Sequence, residues 1–577
     1  MHPYFLGMPT LGRPLRERES ERARPSEAIL LEIEERILAE GTRVEAAGIA
    51  AEKINARGQM TGRQRVEHLV EPGTWCPLHT LIDPSSSEEG TTGVIDGIGR
   101  VGGRWAVVIA SNNRVLAGAW VRGQAENILR VTDLAERLNV PLIWILNCSG
   151  VKLTEQEEVF PDRRGHGAPF YRHARLNQLG VPVLVGIYGT NPAGGGYHSI
   201  SPTVLFAHKD ANFAVGGAGI VGGMNPKGGF DAEGAQDIVE AAEAHRVAPP
   251  GRVDVHHTET GFIRQVYDTE EAVLDGIKQY MQQLPAYDPD FLRVAPPADP
   301  AFPPGEIRRI VPADSQVAYD VEQVIGRLVD GSEHLEFRPD YGPEVYCGLV
   351  KVDGFLMGLV ANRQGFLSAD YPDYSDKPGI GGKLYRQGLI KMNEFVTLCG
   401  RDRVPMIWVQ DTSGIDVGDD AEKAELLGLG QSLIYSIQES GLPMACVVLR
   451  RAHGAAHYVL GGPPGGDNNA FTLGTAATEI QVMHGETAAV AAFSRRLVKE
   501  SEAGRDLQPV IDKMNDLTRH YVDTARPEYA ASRGFVDEIV RFDDLRKYLV
   551  AFAAAAYQNP RSLCPPHQML TPRVIRG

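Results

Sequence analysis

The chain carries one ordered set of short motifs twice, and this repeat limits its fold more than any other feature. VPLIWILNCSGV at Val140–Val151 recurs in the second half of the chain as VPMIWVQDTSGI at Val404–Ile415. GVPVLVGIYGTNPAGGGYH, ending at His198, has a partner in GLPMACVVLRRAHGAAH, ending at His457. A third pair, RVGGRWAVVIASNN and KVDGFLMGLVANR, precedes both at a similar spacing. This period far exceeds the roughly 20–50 residues of solenoid repeats, so the chain is predicted to contain two homologous domains.

The pattern between the motifs predicts the fold class and the domain limits. In both halves short β-branched runs alternate with amphipathic segments, which is typical of βαβ units in an α/β fold. The Pro-dense stretch 291–312 reads as a linker, so the predicted domains are residues 1–290 and 313–577. Near the N-terminus, apolar residues at helical spacing predict a long surface helix from about Glu27 to Gly58.

Composition excludes several classes of function. The formal net charge of −16 argues against a nucleic-acid partner, because phosphate binding relies on a basic surface. The six cysteines show no CxxC spacing, so neither a zinc site nor a disulfide framework is indicated, and no metal is predicted. No apolar run approaches the roughly 18–20 residues needed to cross a bilayer. We therefore expect a cytoplasmic protein, held at a membrane only through partner subunits.

Each half places small residues immediately after two neighbouring strands. Gly150 and Gly414 follow one strand, and the clusters AGGGYH and AHGAAH follow the next. Ligands bind at the carboxyl ends of strands in α/β folds, and small residues let a ligand approach the main-chain amides. Two converging amides form an oxyanion hole. A single cluster could simply make a tight turn, but recurrence as two matched pairs favours two such sites.

These motifs resemble the biotin-dependent carboxyltransferases of crotonase fold. The resemblance is carried by SGV with GTNPAGGGYHSISPT, by WVQDTSGIDVG with AAHYVLGG, and by NPKGG, IGGKLYRQGLIKMNEF and NNAFTLGTAATEI. It extends over almost the whole chain and implies two homologous crotonase-like domains of ββα-superhelix type, produced by an internal duplication. Within the family it is nearest to the decarboxylases that act on glutaconyl-CoA and are linked to a membrane sodium pump.

The resemblance implies that the N-terminal domain binds the acyl-CoA thioester. The hydrogen-bond donors to the thioester oxygen would then be the amides of Val151 and of Gly194 or Gly195. Gly150 and Gly196 would line the same pocket. This hole would stabilise the dienolate that forms when the γ-carboxylate leaves.

The C-terminal domain would by the same resemblance bind the biotin of a separate carrier protein. The amide of Ile415, beside Gly414, would be one donor to the ureido oxygen, and the amide of Gly454 or Ala455 the other. This loop reads HGAAH where carboxylase relatives commonly show GGA, so the choice between the last two stays open.

Other polar candidates lie near these loops. Arg163 and Arg164 are expected either to bind a substrate carboxylate or a CoA phosphate, or to form a solvated charge pair. Gly216 and Gly217 begin a Gly-rich segment that we assign to the thioester pocket. The histidines of the loops could protonate the dienolate or merely bond the nearby backbone; they are His166, His198, His453 and His457.

The family resemblance also predicts partners. The chain has no Met-Lys-Met biotinylation hairpin and no ATP-binding segment, so the biotin carrier and the membrane pump subunits are expected to be separate chains, and a homodimer or larger assembly is expected. The alternative function is the carboxyltransferase subunit of an ATP-dependent acyl-CoA carboxylase. A crotonase-type hydratase or isomerase and a non-catalytic scaffold are further alternatives.

Overall fold

The computed structural model of the chain consists of two units, each with its own internal contacts. It describes residues 8–82, 88–161, 163–200, 203–217, 231–247, 250–285, 288–462 and 468–563. The N-terminal unit is Gly41–Ala286, and the C-terminal unit combines Met1–Glu40 with Tyr287–Gly577. This division differs from the predicted limits, because Met1–Glu40 groups with the C-terminal unit.

The N-terminal unit is built on one mixed sheet. In the described part of the chain this sheet has seven strands in the order β1-β2-β3-β4-β5-β7-β9, and a small sheet pairs β6 with β8. The strands are β1 Cys76–Leu78, β2 Val94–Val101, β3 Arg104–Ser111, β4 Leu142–Leu146, β5 Val183–Ile187, β6 Thr190–Pro192, β7 Val204–His208, β8 Asn212–Ala214 and β9 Gln265–Tyr267. The helices are Ala51–Asn55, Gly62–Leu69, Gln124–Leu138, Gln156–Val159, Phe170–Gln178, Gly194–Ser199, Ala232–Val247 and Glu270–Gln283.

The C-terminal unit repeats this architecture. Its main sheet runs β10-β11-β12-β14-β16-β17-β19, β18 pairs with the end of β16, and a small sheet pairs β13 with β15. The strands are β10 His334–Glu336, β11 Val345–Val352, β12 Phe355–Asn362, β13 Lys383–Leu384, β14 Met406–Thr412, β15 Gly414–Ile415, β16 Met444–His453, β17 Asn469–Gly474, β18 Glu479–Gln481 and β19 Glu538–Ile539. The helices are Glu17–Glu45, Ile307–Ile310, Val321–Ile325, Arg386–Asp402, Asp419–Lys423, Leu426–Ser440, Gly454–Val459, Gly485–Glu502, Gln508–Thr524, Pro527–Ser532 and Leu545–Gln558.

The duplication is visible strand by strand. In each unit the second and third strands form an antiparallel hairpin, β2 with β3 and β11 with β12, and the strands that follow pair in parallel. Both hairpins turn through two residues of positive φ, Gly102-Gly103 and Asp353-Gly354, which matches the twist of the strands. The predicted α/β class is therefore confirmed, and each unit has one parallel sheet segment whose carboxyl ends can carry a site.

The cores follow the same repeat. Trp144 in β4 and Trp408 in β14 occupy the same position of the repeated motif, and both are almost fully buried at the centre of their sheets. Burying an aromatic side chain of this size contributes about 1.5–3 kcal/mol. These anchors fix β4 and β14, and so fix the loops that leave their carboxyl ends.

Two sequence predictions about connections need correction. The predicted helix from Glu27 to Gly58 is two helices, Glu17–Glu45 and Ala51–Asn55, because Gly48 has φ +87° and a Cβ there would lie 2.2 Å from the Arg114 carbonyl oxygen. The Pro-dense stretch 291–312 packs within the C-terminal unit, where Ile307 is fully buried. None of the helices in the described ranges combines the length and the apolar character that crossing a bilayer requires.

Candidate functional site

The first loop of the N-terminal unit presents the Val151 amide. Gly150 has φ +101°, and the Trp120 amide donates to its carbonyl at 2.7 Å, while the Lys152 amide donates to the Trp120 carbonyl at 2.9 Å. Successive amides of an extended segment point in opposite directions, so the Val151 amide points away from Trp120. No described residue accepts a hydrogen bond from it. The Val151 amide is therefore a hydrogen-bond donor without a partner among the described residues, and the Val151 side chain is half-buried.

The second loop ends in the helix Gly194–Ser199. The first amides of a helix have no partner within the helix, so the amides at positions 194–196 are available to a ligand. A Cβ on Gly194 would lie 1.9 Å from Trp120 Cη2, which means that only glycine fits there. Trp120 therefore contacts both loops, the first through its main chain and the second through its indole ring.

The C-terminal unit repeats the first of these loops. β13 pairs in parallel with β15, with Leu384 opposite Ile415. Gly414 has φ +127°, and the Asp416 amide donates to the Leu384 carbonyl at 3.0 Å. Leu384 is thus the main-chain counterpart of Trp120 in the other unit. The Ile415 amide points away from Leu384, as the Val151 amide points away from Trp120.

The second loop of the C-terminal unit also matches, in a register that the sequence comparison missed. Strand β6 pairs with β8 through Thr190 and Asn212, and β16 pairs with β18 through Arg451 and Glu479. Counting on from these pairs places Gly454 (φ +58°) at the position of Ala193 (φ +50°). Ala455 then corresponds to Gly194, and Ala456 to Gly195.

The pairing of His198 with His457 was accordingly wrong. In the structural register His457 falls at the position of Gly196, because the stretch from Pro443 to His457 is two residues shorter than the stretch from Pro182 to His198. His457 Nδ1 lies 2.8 Å from Gln410 Oε1 and the side chain is buried. It fixes the start of the helix Gly454–Val459 rather than facing a ligand.

The histidines of the N-terminal loops are buried among aromatic rings. The His166 ring stacks on Trp120 at 4.5 Å between centroids, and its Nδ1 lies 2.9 Å from the Val159 carbonyl. His198 packs against Trp144 at 4.5 Å, and neither of its ring nitrogens has a partner in the described structure. Burial lowers the pKa of His166 to about 4 and holds the pKa of His198 well below its usual value. Both are neutral at pH 7 and poorly suited to act as acids.

The same holds in the C-terminal unit. His453 is fully buried, with its ring 4.6 Å from His484. Burial, with His484 and Arg451 adding to it, lowers the pKa of His453 to about 3. Burial also lowers the pKa of His457 to about 4. Among the predicted groups of these loops, the main-chain amides therefore remain the better candidates for chemistry.

Comparison with known proteins gives the family. The carboxyl transferase domain family matches residues 53–570. The chain is 58% identical to the glutaconyl-CoA decarboxylase subunit alpha of Acidaminococcus fermentans, over 100% of this chain and 98% of that protein. The chain belongs to the carboxyl transferase family. The family prediction from the loop motifs is confirmed.

More distant relatives agree with this assignment. The biotin-dependent 3-methylcrotonyl-coenzyme A carboxylase beta1 subunit of Mycobacterium tuberculosis is 27% identical to this carboxyltransferase, over 85% of the chain and 87% of that protein. The crystal structure of the geranyl-CoA carboxylase beta subunit of P. aeruginosa superposes with a TM-score of 0.75 at 21% identity, covering 96% of this chain and 98% of that one. That likeness supports the fold alone.

The two predicted arginines, Arg163 and Arg164, are both exposed. Arg164 donates to Glu126 at 2.7 Å with its side chain 59% exposed, and Glu126 also pairs with Arg130. Arg164 therefore fits the solvated charge pair better than a carboxylate or phosphate ligand.

The remaining glycine candidates of the carboxyltransferase lie beside the second N-terminal loop. Gly196 is buried, and a Cβ on it would meet the Ala214 carbonyl oxygen at 2.9 Å. Gly216 and Gly217 are half-buried, and a Cβ on Gly217 would lie 3.2 Å from Pro192. The Gly-rich segment after residue 217 lies outside the described residues.

Two residues that hold the loops escaped sequence reasoning. Trp120 joins both loops, as described above. Asn191 is fully buried, and its Oδ1 accepts from the Cys148 amide at 2.7 Å while its Nδ2 donates to the carbonyls of Tyr188 and Asn212. Asn191 thereby ties the Gly150 loop to the Gly194 loop. The sequence signal for Asn191 was its position within TNPAGGG, but the interpretation of that motif considered the glycines alone.

No cluster of three or more potential metal-ligating side chains occurs in the part of the chain that the structure describes. The chemistry of the site can instead be read from its donors. Each unit offers two loop amides beside small residues, which suits a ligand oxygen that gains negative charge during reaction. Both a thioester carbonyl and a ureido carbonyl are such oxygens.

Proposed function

We propose that this carboxyltransferase moves the γ-carboxylate of glutaconyl-CoA to biotin on a separate carrier protein. The full-length identity of 58% to a glutaconyl-CoA decarboxylase subunit alpha is the observation that carries the substrate assignment. Biotin is here the second substrate, not a resident group. The C4–C5 bond of the acyl group breaks, the carboxyl carbon joins a biotin nitrogen, and the proton which that nitrogen loses balances the one gained by the acyl carbon. The products are crotonyl-CoA and carboxylated biotin.

The N-terminal unit would hold the thioester. Loss of the carboxylate leaves a dienolate whose charge reaches the thioester oxygen, and the amides of Val151 and of Gly194 or Gly195 would donate to it. Preorganised donors of this kind lower the barrier because they need no reorganisation during reaction; losing one costs about two to three powers of ten in rate. Gly150, Gly196, Gly216 and Gly217 would keep the approach to these amides open.

The C-terminal unit would hold biotin. The ureido oxygen must accept charge when the neighbouring nitrogen becomes a nucleophile, so it needs the same pair of donors. Ile415 would supply one, with Gly414 allowing the turn. The structural register favours Ala455 as the second donor, because it corresponds to Gly194; Gly454 corresponds to Ala193, which uses its amide to bond the Ala214 carbonyl at 2.8 Å.

The assembly follows from this division of labour. We propose a homodimer or larger oligomer that works with a biotin carrier chain and with membrane pump subunits that remove the carboxyl group from biotin. Those partners would hold a cytoplasmic enzyme at the membrane. Size-exclusion chromatography with light scattering checks the oligomer, and an active monomer would contradict it.

The test mixes the purified chain with glutaconyl-CoA, with and without free biotin, and follows crotonyl-CoA by mass spectrometry. We expect crotonyl-CoA only when biotin is present, and none from the Gly194→Val variant. Biotin-dependent carboxyl exchange on methylcrotonyl-CoA or malonyl-CoA, without reaction of glutaconyl-CoA, would instead support an acyl-CoA carboxylase subunit.

A further inference from the structure

A buried carboxylate caps the helix that leads away from the biotin-side loop. Glu344 is fully buried, and it lies immediately before β11. Its Oε1 accepts from the amides of Tyr385 at 3.0 Å and Gly388 at 3.1 Å, and its Oε2 accepts from the Tyr371 hydroxyl at 2.7 Å. Tyr385 is the cap residue of the helix Arg386–Asp402, but its own side chain makes no capping bond. Glu344 therefore satisfies from a distant strand the amides that a cap side chain would normally satisfy.

The contact of Glu344 with the helix requires a glycine at position 388. A Cβ on Gly388 would lie 2.1 Å from Glu344 Oε1 and 2.6 Å from its Cδ. Any side chain at position 388 would push the carboxylate off the two amides. Gly388 thus offers a second way to break the contact without changing Glu344 itself.

The capped residue is joined directly to the oxyanion loop. Tyr385 follows β13, and β13 pairs with β15, which contains Ile415. The carbonyl of Leu384, one residue before Tyr385, accepts from the Asp416 amide at 3.0 Å. Because the Leu384 carbonyl fixes the peptide that follows Ile415, the contact that holds Tyr385 also sets the direction of the Ile415 amide.

At the corresponding place the N-terminal unit has a hydrogen bond between two uncharged groups. The matching hairpins place Gly93 at the position of Glu344, and the matching pairs Trp120–Val151 and Leu384–Ile415 place Gln124 at the position of Gly388. Gln124 Nε2 donates to the Thr92 carbonyl at 2.9 Å, so the side chain comes from the helix and not from the strand. The carboxylate is therefore a feature of the C-terminal half, and Gln124 is a matched control.

We propose that Glu344 is a positioning residue for the biotin-side oxyanion loop: its contacts with Tyr385 and Gly388 hold β13, and through β13 they aim the Ile415 amide. This inference rests on the proposed assignment of biotin to the C-terminal unit. Glutamine can replace it, since an amide oxygen can accept from both main-chain amides while the amide nitrogen donates to the Tyr371 oxygen. Alanine cannot, and it leaves three buried donors without this acceptor, namely the amides of Tyr385 and Gly388 and the Tyr371 hydroxyl.

The first readout needs no substrate. Hydrogen–deuterium exchange is measured on peptides that contain the Asp416 amide and, as an internal reference, the Lys152 amide. We expect exchange at Asp416 to rise about tenfold in Glu344→Ala and Gly388→Ala, the effect of losing one supporting hydrogen bond, with Lys152 unchanged. Glu344→Gln should exchange like the wild type, and Gln124→Ala should affect Lys152 alone. Wild-type exchange at Asp416 in Glu344→Ala would overturn the proposal whatever the substrate is.

The second readout is catalytic. In Glu344→Ala we expect kcat/KM for free biotin to fall by about one to two powers of ten, as for a reacting group displaced by an ångström, and crotonyl-CoA affinity measured by calorimetry to stay unchanged. Glu344→Gln should recover at least most of the loss. Equal loss in the glutamine and alanine variants, or a matching loss of crotonyl-CoA binding, would refute a positioning role. If the wild type lacks biotin-dependent turnover while the exchange results hold, the proposed function fails and the positioning of the loop stands.

Discussion

Gly194 gives the sharpest prediction, because its missing side chain is what lets the start of the helix Gly194–Ser199 approach Trp120. A Cβ added at position 194 would lie 1.9 Å from Trp120 Cη2, and 2.5 and 2.7 Å from two further ring atoms. The indole is 3% exposed and stacks on His166, so it has little room to turn away. An ordinary contact of 3.4 Å requires the helix start and the ring to separate by about 1.5 Å.

That displacement is large for an oxyanion hole. Misplacing a reacting group by about 1 Å costs about a hundredfold, and losing one donor costs about two to three powers of ten. We therefore expect Gly194→Ala to lower kcat for crotonyl-CoA formation by about two to three powers of ten, and Gly194→Val by no less. Overpacking should also lower the free energy of unfolding by about 1–3 kcal/mol. Thermal unfolding of each variant verifies that the protein still folds.

The C-terminal unit supplies the control for this experiment. Its counterpart of Gly194 is Ala455, and the counterpart of Trp120 is Leu384. A Gly194→Ala, Trp120→Leu double variant therefore copies a pair of residues that the chain already uses. We expect it to recover at least about tenfold of the activity lost in the single variant, because the clash is removed. Wild-type turnover in Gly194→Ala would refute the assignment of this loop, and a double variant no better than the single one would refute the clash as the cause.

Three further predictions follow from the same geometry. His166 is buried and its pKa is lowered from 6.5 to about 4, so its contribution to stability is fully present above about pH 6.5 and is lost as the pH falls towards 4. The melting temperature should therefore fall as the pH is lowered through this window, and it should fall less in His166→Phe. An equal fall in the two proteins would contradict the effect of burial on His166. Asn191→Ala leaves the Cys148 amide without its partner, so we expect a loss of about 1–3 kcal/mol in unfolding free energy and clearly slower turnover, whereas unchanged kinetics would show that Asn191 does not hold the loops. Arg164→Ala removes an exposed pair with Glu126 and should leave kcat/KM for the acyl-CoA within about twofold; a tenfold rise in KM would support Arg164 as a ligand.

Much of the fold could be predicted because its signals are local. The apolar runs that became β4 and β14, and the glycines directly after them, are written within about a dozen residues of sequence. Because the same strand and glycine motifs recur far along the chain, two similar sites were the simplest interpretation. The helix break at Gly48 was missed because its cause lies at Arg114, whose carbonyl leaves no space for a Cβ.

The parts of the site that escaped prediction depend on contacts between distant segments. Trp120 acts on Val151 and on Gly194, and Asn191 on Cys148; nothing in the local pattern marks these partners. The register of the second loop was missed for a related reason. The second motif of the C-terminal half is two residues shorter between its proline and its histidine, and the strand pairing shows that Ala455, not Gly454, takes the position of Gly194.

In the proposed reaction the chain transfers a carboxyl group rather than releasing it. Glutaconyl-CoA labelled with ¹³C in its γ-carboxylate is therefore incubated with the purified chain and free biotin, and the products are separated and weighed by mass spectrometry. We expect the label to appear on biotin in step with the formation of crotonyl-CoA. Two results together would contradict carboxyl transfer. The label would be found only in bicarbonate from the first time point, and crotonyl-CoA would form equally fast without biotin.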